Sequence, residues 1–240
     1  MERFLRIIKK TCLEKRGKLI IPAFSVGRTQ EIVYLLDQAN TAGLLPKVKV
    51  YVDSPLAINA TAVYGSHPEC FDNQLSEYML IDNNPFGFND LTYIRQAEES
   101  KGLNNSKEPC IIISSSGMMN AGRVKHHLFN NIEDPRATFL IVGYCSPDTP
   151  GGKLRAGLQG FKIFNQYMEV KADVEVMDSF SAHGDRDEMK DFVFNQKSKL
   201  KKLFLVHGEY DTQQAWRSYL RENGFQHIEI PAQGETVRLE

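Results

Sequence analysis

Four short apolar runs, each followed by a turn and a helical pattern, constrain the fold of this 240-residue chain. The runs are KLIIPAF (18–24), VKVYV (48–52), CIII (110–113) and ATFLIVGY (137–144). A strand that is apolar on both faces needs cover on both faces, as in a parallel sheet with helices above and below. Repeated strand–turn–helix units lead to the same arrangement. We therefore predict an α/β fold with a mostly parallel sheet and helices on both faces.

The turns after these runs are rich in serine and glycine. They read AFSVGR, VDSPLA, SSSGMMNAG and GYCSPDT. In the second turn, Ser54 and Pro55 are typical of a helix start, with serine as the N-cap and proline as the first helical residue. Ligands of parallel sheets bind beyond the carboxyl ends of the strands, and backbone N–H groups at helix starts favour anions. The sequence thus predicts a phosphate-binding edge.

The pattern changes after residue 172. The segments VEVMDSFSAH, KKLFLVHGEY and HIEIPAQGETVRLE are typical of strands, and helical patterns separate them at about 186–196 and 211–223. These segments predict a second layer or a small second domain of α/β type.

Composition narrows the class of protein. Hydrophobic residues make up 42% and charged residues 25% of the chain, which indicates a globular protein and excludes a disordered one. The net charge is -1, so a nucleic acid would have to bind a local basic patch. The four cysteines form no CxxC pair, which disfavours a zinc ribbon and a disulfide framework and favours the cytoplasm. No signal peptide or membrane-length apolar run is present, so no membrane partner is expected.

Two histidines follow apolar strands in matching surroundings. His183 is followed by Gly184 and Asp185, and His207 by Gly208 and Glu209. Glycine leaves room for a metal or a phosphate, and an acidic neighbour can orient the imidazole ring. The alternative is that each histidine merely ends a strand.

The strongest phosphate-binding candidate is the turn of Ser114, Ser115, Ser116 and Gly117, whose alternative role is to cap the next helix. Basic side chains on the same loops are candidates for phosphate contacts, although exposed basic residues are common. They are Arg28, Arg123, Lys125, Lys153 and Arg155.

Other features are less specific. Asp53 belongs first to a helix-start signal and only then to a candidate acidic site. His126 and His127 are adjacent in a helical pattern, so at most one of them faces a site. No Walker A or GxGxxG motif occurs, which disfavours a P-loop NTPase and a nucleotide-dependent dehydrogenase.

The order of these motifs resembles that of the β-CASP nucleases of the metallo-β-lactamase superfamily. The motifs are IPAFSVGRTQEIVYLL, VYVDSPLA, IIISSSGMMNAGRVKHHL, IVGYCSPDTPGGKLR, SFSAHGD and LVHGE. The resemblance implies that residues 1–178 are a β-CASP cassette, an α/β domain with a Rossmann-like sheet. It implies that residues 179–240 are a C-terminal α/β segment of the metallo-β-lactamase domain.

The resemblance also implies roles for individual residues. His183 matches the histidine that contacts the scissile phosphate and protonates the leaving oxygen, and His207 matches a zinc ligand. Residues 114–117 match the loop that lines the RNA groove, and Arg28 matches an arginine of a family helix. Residues 114–117 and Arg28, together with Arg123 and Lys153, are the expected contacts of single-stranded RNA.

The family's HxHxDH signature, which supplies most ligands of a two-zinc centre, does not occur in the sequence. We therefore expect a part of a zinc-dependent ribonuclease that lacks its N-terminal metallo-β-lactamase half. We expect this chain alone to bind no zinc and to be inactive, because one histidine cannot hold an ion that takes three or four ligands.

Several alternatives stay open at the level of sequence. The chain could be a non-catalytic nucleic-acid-binding module of the same superfamily, or an enzyme for a small phosphorylated substrate. Exonuclease and endonuclease use the same site, and RNA cannot be told from DNA. A homodimer is compatible with the family.

Overall fold

The computed structural model describes residues 1–180 and 184–238 of the chain. They belong to two units, Met1–Ser181 (unit one) and Ala182–Glu240 (unit two). The assignment of residues 1–178 and 179–240 to two different domains remains a prediction.

Six strands of unit one form a parallel sheet within the described residues. The strands of the chain are β1 (Lys18–Pro22), β2 (Lys49–Asp53), β3 (Leu91–Tyr93), β4 (Cys110–Ser114), β5 (Thr138–Ile141), β6 (Gly160–Ile163), β7 (Gln166–Glu169), β8 (Asp173–Val176), β9 (Leu203–Phe204) and β10 (Ile228–Glu229). The order in the sheet is β3-β2-β4-β1-β5-β8, and every pairing in it is parallel. The predicted parallel α/β sheet is confirmed.

Helices cover both faces of this sheet. The helices are α1 (Glu2–Ile8), α2 (Arg28–Thr41), α3 (Pro55–Ser66), α4 (Asn73–Tyr78), α5 (Ala97–Asn105), α6 (Arg123–Asn131), α7 (Pro150–Arg155), α8 (Arg186–Phe194) and α9 (Tyr210–Glu222). A π-helical turn, Lys9–Glu14, continues α1. Leu19 and Ile21 of β1 pack in one apolar core with residues of α1, α2 and α3. Ile20 packs in a second core with residues of α5, α6 and α7, because successive side chains of a strand point to opposite faces.

Local hydrogen bonds define the starts of two helices in unit one. Helix α5 begins at Ala97, where Glu99 accepts a hydrogen bond from the backbone N–H of Gln96. Helix α7 begins at Pro150, where Thr149 Oγ1 accepts from Gly152 N at 3.1 Å. Gly152 is required for close packing, because a Cβ atom there would lie 2.1 Å from the carbonyl oxygen of Ser146.

Unit two has a small core of its own. Its strands β9 and β10 pair in parallel and are only two residues long, shorter than the sequence suggested. Its buried apolar side chains are Leu205, Leu220, Phe225 and Ile228. No helix in the described part of the chain is both long and apolar enough to span a membrane.

Candidate nucleic-acid interface

The turns that the sequence singled out meet at the carboxyl edge of the parallel sheet. The hydroxyl oxygen of Ser25, after β1, lies 3.1 Å from that of Ser54 and 2.8 Å from that of Ser115. These three residues, which follow β1, β2 and β4, are called the serine cluster below. The turn after β5 joins them, because Gly151 N donates to the Met118 carbonyl at 3.0 Å.

All three serine hydroxyls of the predicted phosphate turn form hydrogen bonds within the protein. Ser114 is buried, and its hydroxyl donates to the Asp53 carbonyl at 2.8 Å. Ser116 Oγ donates to Asn120 Oδ1 at 2.8 Å. The peptide bond between Ser115 and Ser116 is cis. Ser115 is half-buried, and its hydroxyl bonds to that of Ser25 within the serine cluster.

The conformation of this turn depends on Gly122. Its φ is 74°, and a Cβ atom at this position would lie 2.4 Å from the carbonyl oxygen of Ser115. The same carbonyl accepts a hydrogen bond from Val124 N at 3.2 Å. Only glycine fits this close approach with a positive φ.

A buried polar network lies directly beneath the serine cluster. Asp53 is fully buried at the end of β2. One carboxyl oxygen, Oδ2, accepts from Ser100 at 2.5 Å and lies 2.6 Å from His127 Nε2. The other oxygen accepts from Arg123 Nη1 at 2.7 Å. The opposite ring nitrogen of His127 lies 2.9 Å from Asn104 Oδ1.

This network keeps the Asp53 carboxyl ionised. Burial raises its pKa, but hydrogen bonds from His127, Ser100 and Arg123 outweigh burial, and the pKa lies below its ordinary value. The sequence did not reveal the network, because Asp53 and His127 are 74 positions apart. The available signal was the adjacent histidine pair, of which only His127 is buried while His126 is exposed, as the helical spacing predicts.

The predicted basic contacts all touch other side chains of unit one. The Arg28 guanidinium pairs with Glu31, and Arg123 is held by Asp53. The Lys125 Nζ atom lies 4.7 Å from the centre of the Phe164 ring, and the Lys153 Nζ atom lies 5.8 Å from the centre of the Phe161 ring. Arg155 forms an ion pair with Asp178, with Nη1 2.7 Å from Oδ1. Their contacts with phosphate remain predictions.

The two predicted histidines, His183 and His207, come later in the chain than the turns that form this edge. His183 falls outside the described residues. His207 is exposed in unit two, has a left-handed backbone with φ of 66°, and accepts from Gln213 Nε2 at its carbonyl at 3.1 Å. It lines a cavity of about 490 Å³ together with Phe204, Trp216 and other side chains.

The described residues do not fit a zinc site by themselves. Within 1–180 and 184–238, no group of three or more His, Cys, Asp and Glu side chains could hold a metal ion. Zinc takes three or four protein ligands, and His207 supplies only one candidate.

The parallel sheet and the hydroxyl-rich turns at the carboxyl ends of its strands define an α/β protein. A family model described as the Beta-Casp domain matches residues 29–154. A second, described as the Zn-dependent metallo-hydrolase RNA specificity domain, matches residues 167–231. The chain belongs to the β-CASP family of the metallo-β-lactamase superfamily, a family of nucleic-acid-processing hydrolases, which confirms the resemblance of the motifs.

Curated relatives agree with this assignment. "Ribonuclease TTHA0252" from Thermus thermophilus is 32% identical over 99% of this chain and 53% of its own length. "Transcription termination factor FttA" from Methanosarcina mazei is 32% identical over 87% of this chain and 33% of its own length. An "RNase J-like protein" from Methanocaldococcus jannaschii is 35% identical over 82% of this chain and 44% of its own length. The chain thus spans between a third and about half of these relatives.

Proposed function

We propose that this chain is the RNA-recognition part of a zinc-dependent ribonuclease. The observation that carries the proposal is the meeting of four hydroxyl- and glycine-rich turns at one edge of the sheet. Serine hydroxyls and the N–H groups at helix starts donate hydrogen bonds to the phosphate oxygens of a nucleic-acid strand. The description of the second family model as an RNA specificity domain supports RNA as the ligand, as does the relative named a ribonuclease.

The hydrolytic part of the proposal concerns the whole enzyme. In the whole enzyme, two zinc ions would serve phosphodiester hydrolysis, His207 would supply one zinc ligand, and His183 would contact the scissile phosphate. We propose that this chain alone binds RNA without cleaving it, because its described residues do not complete a zinc site. Metal-dependent cleavage by the chain that disappears in His207→Ala would contradict this.

Two further points belong to the same proposal. The four cysteines are free thiols, which fits the reducing cytoplasm. A homodimer and an N-terminal metallo-β-lactamase half are further proposed partners, and both follow from the family alone.

The test is the affinity for single-stranded RNA as a function of salt. Fluorescence anisotropy of a labelled oligonucleotide gives the dissociation constant, which rises with salt if lysines neutralise phosphates. Lys153→Ala, at the carboxyl edge, is expected to lower the salt slope by about one. Lys107→Ala is the matched control, since this exposed lysine precedes β4 at the opposite edge. Absence of binding, or equal effects of both variants, would overturn the proposal.

A further inference from the structure

Two aromatic side chains are exposed beside the serine cluster. Phe24, directly before Ser25, is 56% exposed, and Tyr144, in the turn after β5, is 54% exposed. Exposed rings of this size cost free energy in water. Phe24 and Tyr144 belong to the turns that carry the proposed phosphate contacts, where exposed rings are accessible to a bound strand.

The backbone around Phe24 is held rigidly although its ring is exposed. The Phe24 carbonyl accepts two hydrogen bonds from Thr29, from N at 3.2 Å and from Oγ1 at 2.7 Å. The preceding Ala23 N donates to the Ser114 carbonyl at 3.0 Å. The ring edge lies against Gly117, where a Cβ atom would be only 3.3 Å from Phe24 Cδ2. A ligand therefore meets a ring that is already in place, which lowers the entropy cost of binding.

Tyr144 is attached to the same loops. The next residue, Cys145, is buried, and its Sγ atom lies 3.6 Å from the carbonyl oxygen of Gly117. The Gly117 segment thus contacts Phe24 on one side and the residue after Tyr144 on the other. Gly117 belongs to the turn of residues 114–117, so this turn connects the two aromatic positions.

The mixture of groups at this edge indicates a nucleic-acid strand. Hydroxyl groups suit its phosphates, and aromatic faces suit its bases, because every base has a π-face that stacks on a ring. Val26 and Leu56, also exposed at this edge at 57% and 61%, add apolar surface at the rim. A protein partner would favour a continuous apolar patch, whereas here the half-buried hydroxyls of Ser25 and Ser115 lie among the apolar residues.

We propose that Phe24 and Tyr144 are stacking platforms for bases of a single-stranded nucleic acid whose phosphates contact the serine cluster. The inference deepens the proposed function and rests on it. It assigns recognition of the base faces to two residues, in addition to backbone contacts. Such stacking tolerates any base and requires the strand to be unpaired.

The experiment compares two labelled oligonucleotides of about ten nucleotides, one of adenylates and one in which the sugars of the central positions carry no base. Phe24→Leu and Tyr144→Leu keep an apolar side chain but remove the ring. Each is expected to weaken binding of the adenylate strand by about tenfold. Neither is expected to change binding of the abasic strand or the salt slope. Phe24→Trp restores a ring and is expected to restore the affinity.

Tyr167→Leu is the matched control, because Tyr167 is 62% exposed on β7 and its hydroxyl lies beside Gly160 of β6. If Phe24→Leu and Tyr144→Leu bind the adenylate strand as tightly as the control does, the stacking inference is wrong while RNA binding stands. Equal losses on both oligonucleotides would also overturn it, since the rings would then act on loop structure. If the unaltered chain binds neither strand, the proposed function itself fails.

Discussion

The Nε2 atom of His127 lies 2.6 Å from the Oδ2 atom of Asp53, and neither side chain is exposed to solvent. This pair joins the end of β2 to α6, and Arg123 of the same helix binds the other carboxyl oxygen. The N-terminus of α6 is therefore fixed to the strand end that carries Ser54. The network positions the serine cluster without facing the solvent itself.

Removal of one member of this pair is expected to be costly. His127→Leu leaves the buried Asp53 carboxylate short of a partner, and we expect the free energy of unfolding to fall by about 3 kcal/mol. Urea denaturation followed by circular dichroism measures it, because the single tryptophan, Trp216, reports on unit two. His67→Leu, at an exposed histidine, is the control and should change stability by no more than about 0.5 kcal/mol. Equal effects would show that the buried pair contributes nothing special.

Because of the buried carboxyl of Asp37, we expect the free energy of unfolding to rise on mild acidification. Its carboxyl is buried, and within the described residues Oδ1 has no hydrogen-bond partner. Burial raises its pKa from 3.8 to about 6. Between these two pH values the folded state holds a proton that the unfolded state releases, so this group adds stability as the pH falls from 6 to 4. The added stability is lost again as the pH rises through 6.

Asp37→Asn removes this titration. The amide oxygen can still accept from Tyr78, which donates to Asp37 Oδ2 at 2.7 Å. We expect the variant to be more stable than the unaltered chain at pH 7 by about 2 kcal/mol, and to show a flatter profile between pH 4 and 6. Asp148→Asn, at an exposed site, is the control. A loss of stability at pH 7 would contradict the expectation.

Substitutions at Gly122 and Gly43 allow effects on RNA affinity to be separated from effects on stability. Gly122→Ala places a Cβ atom against the Ser115 carbonyl, so the phosphate turn must move. We expect affinity for single-stranded RNA to fall by about tenfold, or about 1.4 kcal/mol. Gly43→Ala is the matched control, because Gly43 also has a positive φ but nothing within 4 Å. It should lose about 1 kcal/mol of stability through backbone strain and keep its RNA affinity.

The zinc content of the purified chain tests whether its residues supply enough ligands to hold the ion. After exposure to zinc and desalting, mass spectrometry of the purified chain is expected to find far less than one ion per chain, because the described residues include no three-ligand group. His207→Ala should give the same value. One bound ion per chain that is lost in His207→Ala would mean that this histidine takes part in a site not foreseen here.

Strands β1, β4 and β5 were predictable because they are short runs of buried residues. Strand β8, which the sequence assigned to a second layer or domain, is only half-buried and pairs with β5 in the central sheet. Leu19, Ile20 and Ile21 are all fully buried, so the sequence carries no alternation that could be mistaken for an exposed strand. The helix start at Ser54 and Pro55 is also local, and Ser54 Oγ accepts from Ala57 N as expected. Local signals of this kind can be recognised in a single sequence, because the residues involved are neighbours in the chain.

Features that depend on distant partners were not predictable. The hairpin of β6 and β7 is short, and its turn residues Phe164 and Asn165 both have positive φ, a conformation that glycine usually signals. Phe164 is held there by packing on His126 and Lys125 of α6. The Asp53–His127 pair is likewise formed only when β2 and α6 have come together.

The strand order of the sheet has a consequence during synthesis. β1 is made before the other five strands, but both of its neighbours, β4 and β5, come much later in the chain. At roughly 5–20 residues per second, translation needs several seconds to reach β4. Through that interval the segment KLIIP has neither of its partner strands, and transiently exposed apolar surface of this kind is prone to aggregation. We therefore expect the nascent chain to be most prone to association with other chains before residues 110–114 have emerged.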